Sequence, residues 1–511
     1  MKIKTSHIGI LLVGSVFFTY PMLFSQGRNL IIPSNIDSIY NARICFNYPI
    51  EYDANPIIIA DKPWEFNANG DPYAAPFSGG VWYDEEVSLF KMWYSAGGHK
   101  KHGLITCYAE SKDGIDWHKP SLDVIEGTNI VDTLEHDCVT VLLDKYECDR
   151  SKRYKMFCVQ FDTPSAVSMV LKYSKDGIHW GDHVALSGDL YDRCSAYYDP
   201  FRDTYVLSLK TKDADNRRAR NYLANKDPEL AVSLAHRVYG NNHDKFIKFW
   251  FSAQDDDPRH PDFPEIAPAI YNHDAIAYEN ILLGQFVVWQ GPENKDCVKL
   301  NVQKRNEILI GFSKDGFHWE RPDKTPFIGV SSDSLAWNAG NIQSSMGSPL
   351  IVGDSLYFYY SGRYNSRPVH PSNFATGLAK MRRDGFSRAQ TKGKGFIITK
   401  PTTICGDILF INADVSNPDA CIEIEILNDN YEKIGSFQTV SDINSTKYMC
   451  VPESQEMLNK IKGKQVCLKF NMTDAALYSY WFSNSPNGES GGYTAGGGPG
   501  LSSSGKDIAM P

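Results

Sequence analysis

A seven-residue phrase that occurs three times constrains this chain more than any other feature. Ser-Lys-Asp-Gly-Ile-Asp-Trp occupies 111–117, Ser-Lys-Asp-Gly-Ile-His-Trp 174–180, and Ser-Lys-Asp-Gly-Phe-His-Trp 313–319. A shorter relative, Arg383-Asp384-Gly385-Phe386, closes the series. The shared aspartates fall at 113, 176, 315 and 384, giving intervals of 63, 139 and 69 residues. The middle interval is close to twice the last, which places a decayed copy near residue 245, within 241–251. A fixed period is the mark of like units that bury their faces only against one another. Five units of roughly 68 residues fill the interval from about 60 to 390.

Each phrase follows a strand-like run, at 104–109, 168–173, 307–312 and 377–381. Asp-Gly supplies the positive φ of a tight turn, and the Trp opens the returning strand. Another strand pair lies upstream, such as 80–83 with 90–94, 138–143 with 154–159, or 350–352 with 356–360. Four antiparallel strands repeated five times predict an all-β fold, a five-bladed β-propeller over residues 50–390, which closes in a ring and so protects its edges. The repeated phrase reads as a structural turn on the outer rim rather than a ligand or calcium loop. Beyond 390, short alternating runs separated by Asn, Asp, Gly and Ser predict a β-sandwich over 391–485. Residues 486–511, rich in Gly and Ser, read as a disordered tail. Helix is expected only around 228–236.

Lys2 and Lys4 precede an apolar run at 8–24, broken by Pro21 and followed by Ser25-Gln26-Gly27. This is the pattern of a signal peptide over 1–26, so the mature chain is expected to be secreted or periplasmic. No later stretch approaches membrane-spanning length. The net charge of −9 argues against a nucleic-acid partner, which demands a basic footprint. Eleven cysteines include no Cys-x-x-Cys pair, so zinc-site spacing is missing. Asp255-Asp256-Asp257 lacks the carboxylate spacing of a calcium loop. No metal and no cofactor are therefore expected. There is no Gly-x-Ser-x-Gly, His-Glu-x-x-His or phosphate loop, which counts against esterase, metalloprotease and nucleotide readings.

The strand endings Trp93-Tyr94-Ser95 and Tyr359-Tyr360-Ser361-Gly362-Arg363, with the Ser-Lys-Asp-Gly-Ile-His-Trp turn, resemble segments of the family 32 and family 43 glycoside hydrolases. The resemblance covers 60–485 at the level of architecture. It implies a furanoside- or pyranoside-cleaving enzyme with an oligo- or polysaccharide substrate. Family 32 enzymes carry Trp-Met-Asn-Asp-Pro in blade one and Arg-Asp-Pro in blade two. Here those places hold Lys62-Pro63-Trp64-Glu65, Asn69-Gly70-Asp71-Pro72 and His136-Asp137-Cys138, so the resemblance assigns no fructan substrate.

Candidate site residues follow from blade geometry, since the first strand of each blade lines the central channel. The repeat period aligns Glu135-His136-Asp137 in blade two, Asp192-Arg193 in blade three, and His273-Asp274 with Glu279 in blade four. Blade one offers Glu65, with Asp71 as a competitor; blade five offers Asn338, Asn341 and Gln343. Glycoside hydrolysis needs one carboxyl held protonated and another ionised. The expected catalytic set is Glu65, Asp137, Asp192, Asp274 and Glu279. Asp274 or Glu279 would be the acid, and Asp137 the nucleophile, base or transition-state stabiliser. Substrate contacts are expected from Trp64, His136, Arg193, His273, Trp289, Gln290, Asn341 and Arg363, the tryptophans as sugar platforms. Arg363 would clamp a carboxylate-bearing sugar, and the Arg217-Arg218-Ala219-Arg220 run reads first as a solvated loop. The expected function is exo-acting glycoside hydrolysis. A non-catalytic glycan-binding propeller and a phosphate-dependent phosphorylase are the alternatives.

Overall fold

A computed structural model describes residues 26–97, 103–163, 166–239, 244–364 and 374–509. Nearly all of the signal-peptide expectation, and part of the decayed repeat near 245, lie outside them. The described chain is almost entirely β, with three α-helices of seven residues each, Pro228–Leu234, Asn294–Leu300 and Gln455–Ile461. None of its helices is long and apolar enough to cross a membrane.

Residues 50–382 lie in sheets of eight, four and nine strands, the last including Tyr493–Thr494. Five successive antiparallel runs, here called units, can be followed within them. Units one and two share the first sheet, and units four and five the last through a parallel bridge from Asn306 to Asn341. Unit one runs Ala74–Asp84, Leu89–Gly97, Leu104–Ser111 and Trp117–His118. Unit two runs Ile130–Leu143, Tyr154–Thr163, Ala166–Ser174 and Ala185–Leu186. Unit three runs Ser195–Asp199, Thr204–Lys212, Arg218–Asn225 and Lys248–Phe251. Unit four comprises Ala269–Glu279, Ile281–Gly291 and Arg305–Ser313, with a bridge from Phe312 to Glu320 as its outer edge. In unit five Asn341–Ser344, Ser355–Arg363 and Ala375–Arg382 are completed by Ile50–Glu51, a strand from before unit one. The first strands touch in a cycle: one with two, two with three, three with four, four with five, and five with one.

The repeated phrase holds neighbouring units together. In each full copy the Ser Oγ accepts the Gly N–H at 2.9 Å and the Asp Oδ1 accepts the next two N–H groups. The Gly backbone is held at positive φ, 76°, 80° and 71° at Gly114, Gly177 and Gly316. That leaves the Gly carbonyl free to accept from the preceding unit. Trp93 of unit one donates to Gly177 at 2.6 Å, Tyr359 of unit five to Gly114 at 2.7 Å, and Tyr197 of unit three to Gly316 at 3.3 Å. In the degenerate copy, Tyr278 of unit four donates to the Asp384 carboxylate at 2.5 Å instead. The phrase is therefore an inter-unit clasp rather than a bare rim turn.

Apart from the sheets of the five units, a ten-stranded antiparallel sheet follows, hereafter the second sheet, with its own core around Ile411, Ile422, Ile424, Leu468, Phe470 and Leu477. Two strands from the N-terminal side, Asn29–Leu30 and Ile36–Phe46, belong to it. The expected boundary at 391 therefore omits residues 29–46.

Residues 486–509 correct the disordered-tail expectation. Tyr493–Thr494 pairs with the end of the first strand of unit four. Gly496 and Gly497 accept from Tyr83 N and Ile351 N, each at 2.8 Å, and Tyr493 packs on Phe201 and Tyr146. These contacts reach the far ends of the first strands, or the residues just beyond them, in all five units. Composition misled here because the glycines serve close backbone approach: a Cβ at Gly498 would lie 1.7 Å from the Ile351 carbonyl oxygen.

Two measurements check this account. Tyr359→Phe removes the inter-unit donor to the Gly114 carbonyl and leaves it only the longer bond from Trp117 Nε1 at 3.3 Å. It should cost about 1 kcal/mol, read as a lower urea midpoint. Gly498→Ala, through overpacking of about 1–3 kcal/mol, should lower Tm; an unchanged Tm would mean that the segment is not docked.

Candidate active site

The opposite ends of the first strands carry the candidate site. There the strands depart from regular alternation. Register shifts fall between Ala75 and Gly80 in unit one, His136 and Cys138 in unit two, and Ile270 and Asn272 in unit four. In unit one the irregularity puts Phe77 and Ser78 at φ 48° and 67°. A β-bulge re-aims the side chains around it, and here it decides which residues meet.

Arg193, 2% exposed, stands at the centre. Its guanidinium lies 3.4 Å from the centroid of the Phe77 ring and 5.9 Å from that of Tyr271. Its backbone N–H donates to Asp137 Oδ2 at 3.0 Å, and its Nη1 lies 3.8 Å from the same oxygen. Arg220 holds the Arg193 carbonyl at 2.8 Å from within the core. Asp192 pairs with Lys210. The Asp137 and Asp192 side chains retain 23% and 45% exposure, so both are open to a ligand.

Their environments separate the two carboxyls. Burial pushes Asp137 up, opposed by Arg193 and reinforced by the charge of Asp192. Burial also acts upward on Asp192, but Lys210 and Arg193 outweigh it and hold that carboxyl below its ordinary value. One group is thereby biased to keep a proton and its neighbour to lose one.

A cavity of about 140 Å³ is lined by Lys304, Asn341 and Arg363 with Asn294, Cys297, Val298 and Tyr364. Tyr271, which faces Arg193, also carries Lys304 at 4.3 Å from its ring centroid. Arg363 sits 4.4 Å from the centroid of the Phe374 ring, which stacks on Tyr73 at 3.9 Å. Arg218 lies 4.6 Å from the centroid of the Trp289 ring and pairs with Glu293 at 2.8 Å.

The structure thus gathers Asp137, Asp192 and Arg193, and sets Asn341 and Arg363 around the adjoining cavity. It places the other expected residues elsewhere. Glu65 is fully buried and saturated by Asp61 N, Lys62 N, the Tyr94 hydroxyl and Lys119. Trp64 donates to Asn129 at 2.8 Å and packs on the core of unit one, so it offers no platform. Glu279 lies at the far end of its strand, held by Arg28 N, Arg383 and Ser490. His136 is sealed against Thr106, and burial together with Arg193 takes its pKa down to about 3. His273 is buried among Trp250, Phe251, Phe286 and Trp319, and burial holds it neutral. Gln290 is fully buried against Glu307. Trp289 is 7% exposed under Arg218. Asp274 is 1% exposed beneath the site, accepting from Ser344 at 2.6 Å, Asn272 at 3.1 Å and Ser78 at 3.2 Å. Because Ser78 also meets Arg193, at 3.4 Å, Asp274 positions the floor of the site rather than facing a ligand.

Tyr73, Lys210, Tyr271, Lys304 and Phe374 escaped the sequence reading. Tyr73 and Tyr271 stand at strand entries, where an aromatic scan would have found them. Lys210 and Lys304 lie outside the first strands and carry no such signal.

Burial raises the Asp274 carboxyl against the opposing pull of its hydroxyl donors. A raised folded-state pKa gives stability that is present at low pH and lost as pH climbs through it. Asp274→Asn should therefore gain Tm relative to wild type between pH 4 and pH 8. Asp274→Leu, by orphaning its donors at about 1–3 kcal/mol each, should lose Tm at both.

No protein-family model matches the chain, and no curated protein matches it. Among solved structures it is similar to an N-acetylgalactosamine deacetylase from F. plautii, at 13% identity and TM-score 0.42 over 68% of this chain and 96% of that one. It is similar to a glycosyl hydrolase from Bacteroides ovatus, at 13% identity and TM-score 0.44 over 66% and 94%. It is also similar to a family 43 arabinoxylan arabinofuranohydrolase from Bacillus subtilis, at 9% identity and TM-score 0.37 over 86% and 99%. Likeness at these scores says nothing about which residues do chemistry here.

Proposed function

We propose that the five units are the blades of one β-propeller, that the second sheet is an appended β-sandwich, and that the chain is a glycoside hydrolase acting at chain ends. The reading rests on one observation: two open carboxyls, Asp137 and Asp192, are biased toward opposite protonation states around one arginine. Asp137 gives its proton to the leaving glycosidic oxygen. Asp192, kept ionised by Lys210 and Arg193, serves as nucleophile or as base for water. Tyr73 and Tyr271 supply ring faces for a sugar. Action at chain ends is favoured because the 493–497 segment lies across the opposite ends of the first strands, leaving a blind cavity. Export, with residues 1–26 as a removable leader, belongs to the same reading and is supported by Lys2, Lys4 and the apolar run that follows.

A panel of aryl-glycosides tests this. Asp137→Asn and Asp192→Asn should each lower kcat/KM by about 10²–10⁴-fold at nearly unchanged Tm. The wild-type pH profile should be a bell. Its acid limb comes from Asp192 below the usual carboxylate range, and its alkaline limb from loss of the Asp137 proton above it. Asp137→Asn should remove the alkaline limb. Full activity in both variants would overturn the assignment.

A further inference from the structure

The charges around the cavity do not balance. Arg193 answers Asp137, Lys210 answers Asp192, and Arg218 answers Glu293. Lys304 and Arg363 have no ion-pair partner among the described residues; each lies over a ring, Tyr271 and Phe374, with Glu293 and Asp71 as the carboxylates that act on them from beyond ion-pair distance. Two half-buried cations on one wall of a cavity run against the net charge of −9. Burial of unpaired charge is costly, and a cation–π contact recovers only part of that cost.

We infer that Lys304 and Arg363 bind an oxyanion substituent of the substrate, the carboxylate of a uronate or a sulfate ester, so that the sugar entering the site is acidic. This rests on the glycoside hydrolase reading. A guanidinium presents paired N–H groups that match such an oxyanion in bidentate fashion. Lys304 adds a point charge in the same cavity. Asn341 contributes amide N–H groups, since its carbonyl already accepts from Asn306 and Gln343 at 3.1 Å each. Tyr271 joins this pocket to Arg193, so an anionic group held here leaves its ring beside Asp137 and Asp192.

The site also carries its own pH signature. Burial lowers Lys304 to about 7, with Arg363, Arg218 and Lys210 pushing the same way and Glu293 opposing. Tyr271 and the Cys297 thiol are the other titratable groups facing it. An anion is held by the protonated form, so affinity is full below pH 7 and falls above it.

Titration calorimetry on the full chain carrying Asp137→Asn tests binding apart from turnover. The probes are glucuronate, galacturonate, glucose 6-sulfate, glucose and inorganic phosphate. An acidic sugar should bind more tightly than glucose by about 10²-fold, and about tenfold more tightly at pH 6 than at pH 8. Arg363→Met should abolish the preference. Lys304→Arg should keep it and lose the pH dependence, whereas Lys304→Met should lose both. Whether uronate or sulfate ester binds better identifies the substituent. Equal binding of glucose and the acidic sugars overturns the inference. So does phosphate binding coupled to phosphate-dependent cleavage by the wild type, which would make the cavity a phosphate site. If an acidic sugar binds as described while the wild type cleaves no glycoside, the hydrolase reading falls and this one stands.

Discussion

The architecture depends on a hydrogen bond that crosses from one repeat to the next. A glycine held at positive φ turns its carbonyl outward, and an aromatic N–H or O–H from the preceding unit meets it. Trp93 with Gly177, Tyr359 with Gly114 and Tyr197 with Gly316 are three instances. Each such bond is worth only about 1 kcal/mol net. Its weight is geometric, because it fixes how each unit sits against the next. The contact from Tyr359 back to Gly114 joins the last unit to the first, and Ile50–Glu51 supplies the last outer strand.

With the ring set, the two ends of the first strands take different work. At one end bulges bring Phe77, Asp137, Arg193 and Tyr271 to a common centre. At the other, Glu279 and Asp384 are neutralised by Arg28 and Arg383, joining the two sheets through buried charge. The same residue type thus does opposite jobs along one strand. Asp274 and Glu279 are five positions apart, and neither faces the cavity.

The fold was legible because its determinant is local. A seven-residue turn with a required glycine and a returning aromatic repeats at a readable spacing, and antiparallel strands follow from alternation. Of the candidate site, the sequence singled out Asp137, Asp192 and Arg193 in units two and three, and Asn341 and Arg363 in unit five. Elsewhere the first strands carry bulges, and a bulge flips the parity on which inward and outward assignments depend. His273-Asp274 looks like His136-Asp137 in sequence. The shift between Ile270 and Asn272 hands the cavity to Tyr271 and drops both followers into the core. Glu65 failed for another reason: a carboxylate three residues after a turn's start is as well suited to capping as to catalysis, and here the cap took it.

The docked glycine-rich segment has a consequence for how the molecule is made. Residues 493–497 follow every unit and the whole second sheet in synthesis, yet they rest against strand ends or flanking residues from all five units. Until they emerge, Tyr83 N and Ile351 N lack their acceptors and Glu279 lacks Ser490. The closed end is thus completed by a segment that lies more than a hundred residues after the last of the strands it caps, so its formation depends on contacts of long sequence separation.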